Sequence, residues 1–312
     1  MLHESNLIDK VKKLWSQKAK VEDRERRELV SWMVYPLIAK NYINKQVSGN
    51  SEEDWLIYIK NTYIPHKLNM GLDIGCGDGW LERRASHLGI CKKFDAFDVA
   101  EGAIKIAKKE ASKQGIDNFV NYEVRDINNI CLEREVYDIA FTTSSAHHFK
   151  ELEHIFNEVN KALKPSGFFI LGNEFVGPSQ FQWTDKQMGI IDDLLQILPT
   201  KYRRYISTPW KVKERGGRPS LDWMKNYDPS EAIRSADIIP ILSEYCNVIE
   251  KVDFGGTILH MLLSNIVGNF DSEKEEDIAI LKLICYLEET LIRERILPSD
   301  FAVIIAQKKD LL

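Results

Sequence analysis

The chain has no Cys-x-x-Cys pair, no internal repeat and no low-complexity tract, and each of these gaps removes a class of protein. Its five cysteines (Cys76, Cys91, Cys131, Cys246, Cys285) are scattered and odd in number. That pattern argues against a disulfide framework or a cysteine zinc site and suits reduced thiols. There is no surplus of positive charge: 42 Lys and Arg stand against 47 Asp and Glu, a net charge of -5. A general nucleic-acid binder is therefore not expected. No apolar run is long enough to cross a bilayer, because the most apolar helical piece, 257–267, is interrupted by His260, Ser264 and Asn265. Glu4, Asp9 and Lys10 near the N-terminus do not read as a signal peptide. These gaps together predict a cytoplasmic protein without a membrane span. No metal-ligand constellation stands out, so metal-independent chemistry is expected, and nothing in the sequence speaks to the oligomeric state.

What is present is a globular composition, 44% hydrophobic and 29% charged over 312 residues, long enough for one large core with additions. Helical spacing of Leu7, Ile8, Val11, Leu14 and Trp15 predicts a helix over 4–20. A second is predicted over 22–45, kinked or divided at Pro36, and a third over 52–63. From 68 onward strands and helices alternate. Strands are predicted at 69–74, 93–98, 119–125, 137–143 and 167–173, with helices at 79–89, 101–114 and 149–163 between them. Such spacing implies βαβ units and a parallel sheet covered on both faces. The rhythm breaks over 174–240, which reads as an insertion with a helix near 185–198. Two more strands are predicted at 248–254 and 301–306, flanking helices at 257–268 and 274–296. The expected organisation is an N-terminal helical cap, 1–66, and an α/β domain, 67–312, with insertions at about 174–240 and 257–297.

The chain turns on Leu68–Trp80. An apolar run carrying one carboxylate, Asp73, leads into Gly75, Gly77 and Gly79, and a helix follows. Strand, glycine turn and helix allow close backbone approach to a ligand and offer free N–H groups to an anion. A dinucleotide site calls for G-x-G-x-x-G, yet the third glycine's place is held by Trp80. Leu72-Asp-Ile-Gly-Cys-Gly-Asp-Gly79 instead resembles motif I of the class I S-adenosylmethionine-dependent methyltransferases. Asp98 and the helix after it, Asp126, Tyr137-Asp138-Ile139-Ala140 and Leu163-Lys164-Pro165-Ser166-Gly167 resemble the later motifs, with Ser166 where the family usually has glycine. The resemblance covers roughly 68–173 and implies a seven-stranded Rossmann-like methyltransferase sheet.

It also implies S-adenosyl-L-methionine as cofactor, with S-adenosyl-L-homocysteine as product. The glycine turn would hold the amino-acid end of the ligand and Asp98 the ribose diol, for which a carboxylate offers two acceptors. Asp126 would take the adenine amino group, with backbone near Ile127 at the ring edge. The expected cofactor set is Asp73, Gly75, Cys76, Gly77, Gly79, Asp98, Val99, Asp126, Ile127 and Thr142, although Asp73 could equally shape the turn. Asp138, at the opposite end of its strand, is expected to be structural.

Loops at the carboxyl ends of parallel strands supply the remaining chemistry. After the fourth strand, His147 and His148 precede a helix, where a cationic imidazole is disfavoured and a neutral base is expected. Either histidine could instead cap that helix. After the fifth strand, Asn173 and Glu174 are placed to face an acceptor, with Phe181 and Trp183 as pocket walls. Arg203 and Arg204, in a basic segment over 201–218, could clamp a phosphate or carboxylate on that acceptor, or form a solvated face. The function expected is methyl transfer to a small molecule, at oxygen first (a sugar, glycan intermediate or secondary metabolite) and nitrogen second. An NAD-linked oxidoreductase and a non-catalytic binder of S-adenosylmethionine are the readings from other classes.

Overall fold

The computed structural model describes residues 10–16 and 29–310. Seven strands form one sheet: β1 (Leu68–Ile74), β2 (Cys91–Asp98), β3 (Val120–Val124), β4 (Tyr137–Thr143), β5 (Leu163–Phe175), β6 (Cys246–Gly255) and β7 (Phe301–Lys308). Their order is β3-β2-β1-β4-β5-β7-β6. The first five pair in parallel, and β7 runs antiparallel between β5 and β6. All seven predicted strands are present.

Alternation along each strand builds a core on both faces. Ile139 and Phe141, Ile170, and Val303 and Ile305 join helices Trp80–Leu88 and Glu101–Lys113 and the aromatic segment around Trp32, Tyr42 and Trp55. Their neighbours Ala140, Phe169 and Leu171, Ala302 and Ile304 face the other way, onto Leu152, Ile155, Phe156 and Val159 of helix Leu152–Ala162 and onto Ile238 and Leu242. Both faces are thus covered, as near-continuous apolar strands require.

The N-terminal helix expected over 22–45 is divided at Pro36, as the sequence predicts. Leu7 and Ile8, and the segment 17–28, lie outside the described residues; 10–16 are helical. Beyond 30 the chain is broken into a short 3₁₀ turn, Trp32–Val34, an extended Tyr35, and a new helical start with Pro36 in its first turn. Proline has no N–H to give and fixes φ, so it begins a helix more easily than it continues one. Leu221–Tyr227 sits inside 174–240 and Ile238–Tyr245 begins at its end, where the sequence pattern predicts a single helix, observed at Asp185–Ile197. β5 also starts earlier than expected, running through the Lys-Pro-Ser-Gly turn with a register shift opposite Tyr137 and Ile139. Ser166 takes φ +62° there, a conformation that glycine adopts more readily.

Candidate functional site

The glycine turn leaves β1 and is tied to β2 by two N–H donors: Gly75 and Cys76 both donate to the Phe97 carbonyl, at 2.8 and 3.1 Å. Gly75, Gly77 and Gly79 all have positive φ. Their surroundings differ. A Cβ on Gly75 would lie 2.7 Å from the Ser145 Cβ, and one on Gly79 would lie 2.3 Å from the Tyr122 hydroxyl, whereas a Cβ on Gly77 would meet nothing within 4 Å. The outer glycines are therefore fixed by protein packing, and Gly77 faces open space.

Asp98, at the carboxyl end of β2, braces this turn. Its Oδ2 accepts the Gly77 N–H at 2.9 Å and its Oδ1 accepts the Ala100 N–H at 2.7 Å. Each oxygen keeps a further lone pair, so the carboxylate shapes the loop and can still accept from a diol. Asp73 lies beneath the turn, fully buried. It shares a hydrogen bond with Glu82 of helix Trp80–Leu88. Burial lifts Asp73 well above the usual carboxylate range, and burial lifts Glu82 to about 7. The pair therefore carries a proton. Asp126, half-buried, accepts from the Asn128 N–H (3.1 Å) and the Asn129 side-chain amide (2.8 Å), capping the short turn that carries the buried Ile127.

Buried polar atoms without partners collect at the carboxyl end of the sheet. The Thr142 and Thr143 hydroxyls and Asn173 Oδ1 have no hydrogen-bond partner among the described residues. They stand on β4 and β5, two neighbouring strands. Buried atoms of this kind are costly unless something supplies hydrogen bonds, and all three can accept one from an ammonium group.

The histidine turn lies next to them. Glu174, completely buried, accepts the backbone N–H groups of Ser145 (3.2 Å), Ala146 (3.1 Å) and His147 (3.0 Å). The same carboxylate takes the His147 Nδ1 at 2.6 Å. This corrects the expectation that Glu174 faces an acceptor: it holds the histidine turn from below. It also corrects the expectation of a neutral His147. Desolvation works against the cation, but Glu174 and Glu231 outweigh it and raise His147 to about 10. His148 goes the opposite way, lowered to about 4 by burial and by the charge of His147. The two rings lie 4.2 Å apart, and Trp15 meets His148 edge-on at 4.8 Å.

A loop the sequence reading passed over completes this cluster. His148 Nδ1 lies 3.3 Å from the Ser230 hydroxyl, which donates to Asp228 Oδ1 at 2.7 Å. Glu231 Oε1 is 3.5 Å from His147 Nε2. The Ile233 N–H donates to the His147 carbonyl at 3.0 Å, and Arg234 forks onto Glu153, with 2.7 Å to each carboxylate oxygen, so 228–234 is fixed against the histidine turn. In sequence, Asp-Pro-Ser-Glu signals only a turn, and nothing there marks it as a partner of residues 82 positions away.

The other candidates are placed less centrally. Trp183 is buried, its indole N–H donating to Asp300 Oδ2 at 2.7 Å and its ring stacked 5.0 Å from Phe181, in a cluster with Phe175 and His260. It is core rather than pocket wall; Phe181 is half-buried beside it. Arg203 pairs with Glu214 at 2.8 Å, and Arg204 donates to the Pro209 carbonyl at 3.1 Å. Both belong to a small bridged turn, Arg204 with Val212, that is also bonded to Asn265 and Asn269. Asp138 is structural: it accepts from the Asn69 and Met70 N–H groups at 3.1 and 2.8 Å and pairs with Lys164.

A parallel sheet with one antiparallel strand and a glycine turn braced by the acid ending β2 define a class, and comparison with known proteins gives the same one. Residues 72–171 match the family model described as a methyltransferase domain. Residues 72–171 are therefore a methyltransferase domain, set in a sheet of the class I S-adenosylmethionine-dependent methyltransferase fold. Similar curated proteins include a sterol 24-C-methyltransferase of Candida albicans, 28% identical over 46% of this chain and 40% of its own length. Another is a malonyl-[acyl-carrier protein] O-methyltransferase of Priestia megaterium, 31% identical over 33% of this chain and 36% of its own. This chain spans less than half the length of those relatives. Among solved structures, phosphoethanolamine N-methyltransferase 2 of Haemonchus contortus with S-adenosyl-L-methionine shares the fold at TM-score 0.50 and 17% identity, over 88% of this chain and 56% of that one.

Proposed function

We propose that the chain moves a methyl group from S-adenosylmethionine to an oxygen of a small-molecule acceptor. The observation that carries this reading is the open face at Gly77, braced by Asp98 at the carboxyl end of a sheet that also carries the unpartnered acceptors Thr142 Oγ1 and Asn173 Oδ1. A zwitterionic amino-acid end fits such a place: N–H groups of the turn suit its carboxylate and the bare acceptors suit its ammonium. Asp98 is the group for the ribose diol, with Asp126 and Ile127 next along the sheet edge for the base. Bound there, the cofactor supplies an electrophilic methyl group whose leaving group is a neutral thioether. The protein's part is then alignment and exclusion of water more than covalent chemistry.

The acceptor's place in this reading is the mouth formed by Asn173, the histidine turn and Phe181. Helix 10–16 lies beside it. The Ser16 hydroxyl accepts the Gly102 N–H at 3.1 Å, Trp15 meets His148 edge-on, and Lys10 bonds the Asn226 carbonyl. That segment therefore bridges the start of the helix after β2, the histidine turn and the 174–240 insertion. Arg203 is given no part in holding a phosphate or carboxylate in this reading, because its Nη1 pairs with Glu214 within its own turn.

Calorimetry with S-adenosylhomocysteine and with NADH tests the reading. Binding of the first and not the second is expected, with Asp98→Ala weakening it at least tenfold. Tight NADH binding without S-adenosylhomocysteine binding would overturn it. Product formed from amine acceptors alone would move the reaction to nitrogen.

A further inference from the structure

His147, His148 and Glu231 each offer one ligand atom, and these atoms lie within 4.8 Å of one another. The imidazoles are held in the way metal-binding histidines are held. His147 gives its Nδ1 to Glu174, a buried carboxylate that also grips three backbone N–H groups. His148 turns its Nδ1 to Ser230, which Asp228 orients in turn. With both Nδ1 atoms engaged, the Nε2 atoms are the ones left for a ligand role, and a carboxylate or hydroxyl behind each ring fixes its tautomer and orientation. His147 Nε2 and Glu231 Oε1 are 3.5 Å apart. Two ligands at about 2.0–2.2 Å from one ion, set at a tetrahedral angle, stand about 3.4 Å apart. The three atoms lie within 4.8 Å of one another, so the set must draw in to reach that spacing.

We infer that His147, His148 and Glu231 form a binding site for one divalent transition-metal ion, two imidazoles and a carboxylate, at the mouth assigned to the acceptor. Mixed imidazole and carboxylate ligands suit Zn²⁺, Mn²⁺, Fe²⁺ or Co²⁺ better than Mg²⁺ or Ca²⁺. Three protein ligands leave positions open, and an acceptor bearing a hydroxyl or carboxylate oxygen is the class of ligand that would complete the shell. The site rests on the proposed acceptor mouth for its purpose, though not for its existence. It also revises the expectation of metal-independent chemistry. The carboxylate comes from a loop far along the chain, so no ligand spacing marks it in sequence.

The test uses the full chain freed of metal by a chelator. Titration with Co²⁺ is expected to give visible d–d absorption saturating at one ion per chain, and Zn²⁺ is expected to displace it. Glu231→Gln and His148→Asn should each weaken binding at least tenfold, and Glu174→Gln, which touches no ion, about 10–100-fold. Thermal melting of each variant shows whether it folds. If neither Co²⁺ nor Zn²⁺ binds stoichiometrically, or if His148→Asn binds Co²⁺ as the parent does, the inference is wrong. S-adenosylhomocysteine binding, measured on the same metal-free protein, separates that outcome from failure of the methyltransferase reading.

Discussion

Two glycines of one turn make opposite demands. Gly79 has φ +78°, and a Cβ there would strike the Tyr122 hydroxyl at 2.3 Å, so Gly79→Ala combines backbone strain with overpacking. Urea unfolding should show a loss of about 2–5 kcal/mol. Gly77, at φ +55° with open space in front of it, should cost about 1–2 kcal/mol as alanine. Its larger effect should appear in calorimetry, where S-adenosylhomocysteine affinity falls at least tenfold because the methyl group stands where the ligand approaches. A third substitution separates holding from touching. Glu174→Ala leaves three backbone N–H groups, two of them buried, and a histidine without their acceptor, and should cost about 3 kcal/mol or more in stability along with activity. The glycines and Asp98 are legible in sequence because they sit within one strand–turn–helix unit and its neighbour, where spacing determines position. Glu174 is legible as a residue at the right strand end but not in its role, since a side chain's direction depends on the turn packed over it. Ser230 and Glu231 are not legible, because their relation to the histidines is wholly tertiary.

Between elements, the contact of β1 with helix Trp80–Leu88 is made by two acids. Asp73 and Glu82 share a proton in a fully buried space, with the Tyr122 hydroxyl 3.4 Å from Glu82 Oε2. In the unfolded chain Glu82 has its ordinary value of 4.5, and in the folded chain about 7. The folded state therefore holds the proton more tightly. The associated stability is complete below about pH 4.5 and is lost as pH rises through about 7, at up to about 1.4 kcal/mol per pH unit for one group. Glu82→Gln should reduce this slope, leaving the part that Asp73 contributes. Comparing urea midpoints at pH 5 and pH 8, the parent should lose more stability than the variant. An equal loss in both would place the proton elsewhere. At this level the sequence is a good guide. Each predicted strand exists because apolar alternation and Gly or Pro punctuation agree, and differences arise where two local rules compete. At Tyr35-Pro36 the proline's missing N–H divides the apolar helical pattern, and its position in the sequence already predicts the break. Around Ser166 the turn residues bulge inside a continuing strand because β4 keeps pairing on both sides of them.

Across the whole molecule, Glu288 of helix Glu275–Arg293 fastens the late part of the chain to the early part. It is completely buried and accepts the N–H groups of Gly256, Ile258 and Leu259 and the hydroxyl of Tyr42, which belongs to the N-terminal helical segment. Glu288→Ala should lower the unfolding free energy by about 3–5 kcal/mol, read by urea denaturation, by stranding those donors. The sheet order adds a constraint of a different kind. β7 comes last of the strands in sequence yet lies inside the sheet, hydrogen-bonded to β5 on one side and β6 on the other. A ribosome releases this piece after everything it must join. Until then β5 presents a bare hydrophobic edge and β6 has no neighbour, so the nascent chain waits in a sticky, five-stranded state that invites capture by chaperones. Chains stopped at residue 300 should accordingly be found in the insoluble fraction or bound to chaperones, whereas release of eight further residues completes the sheet in one step.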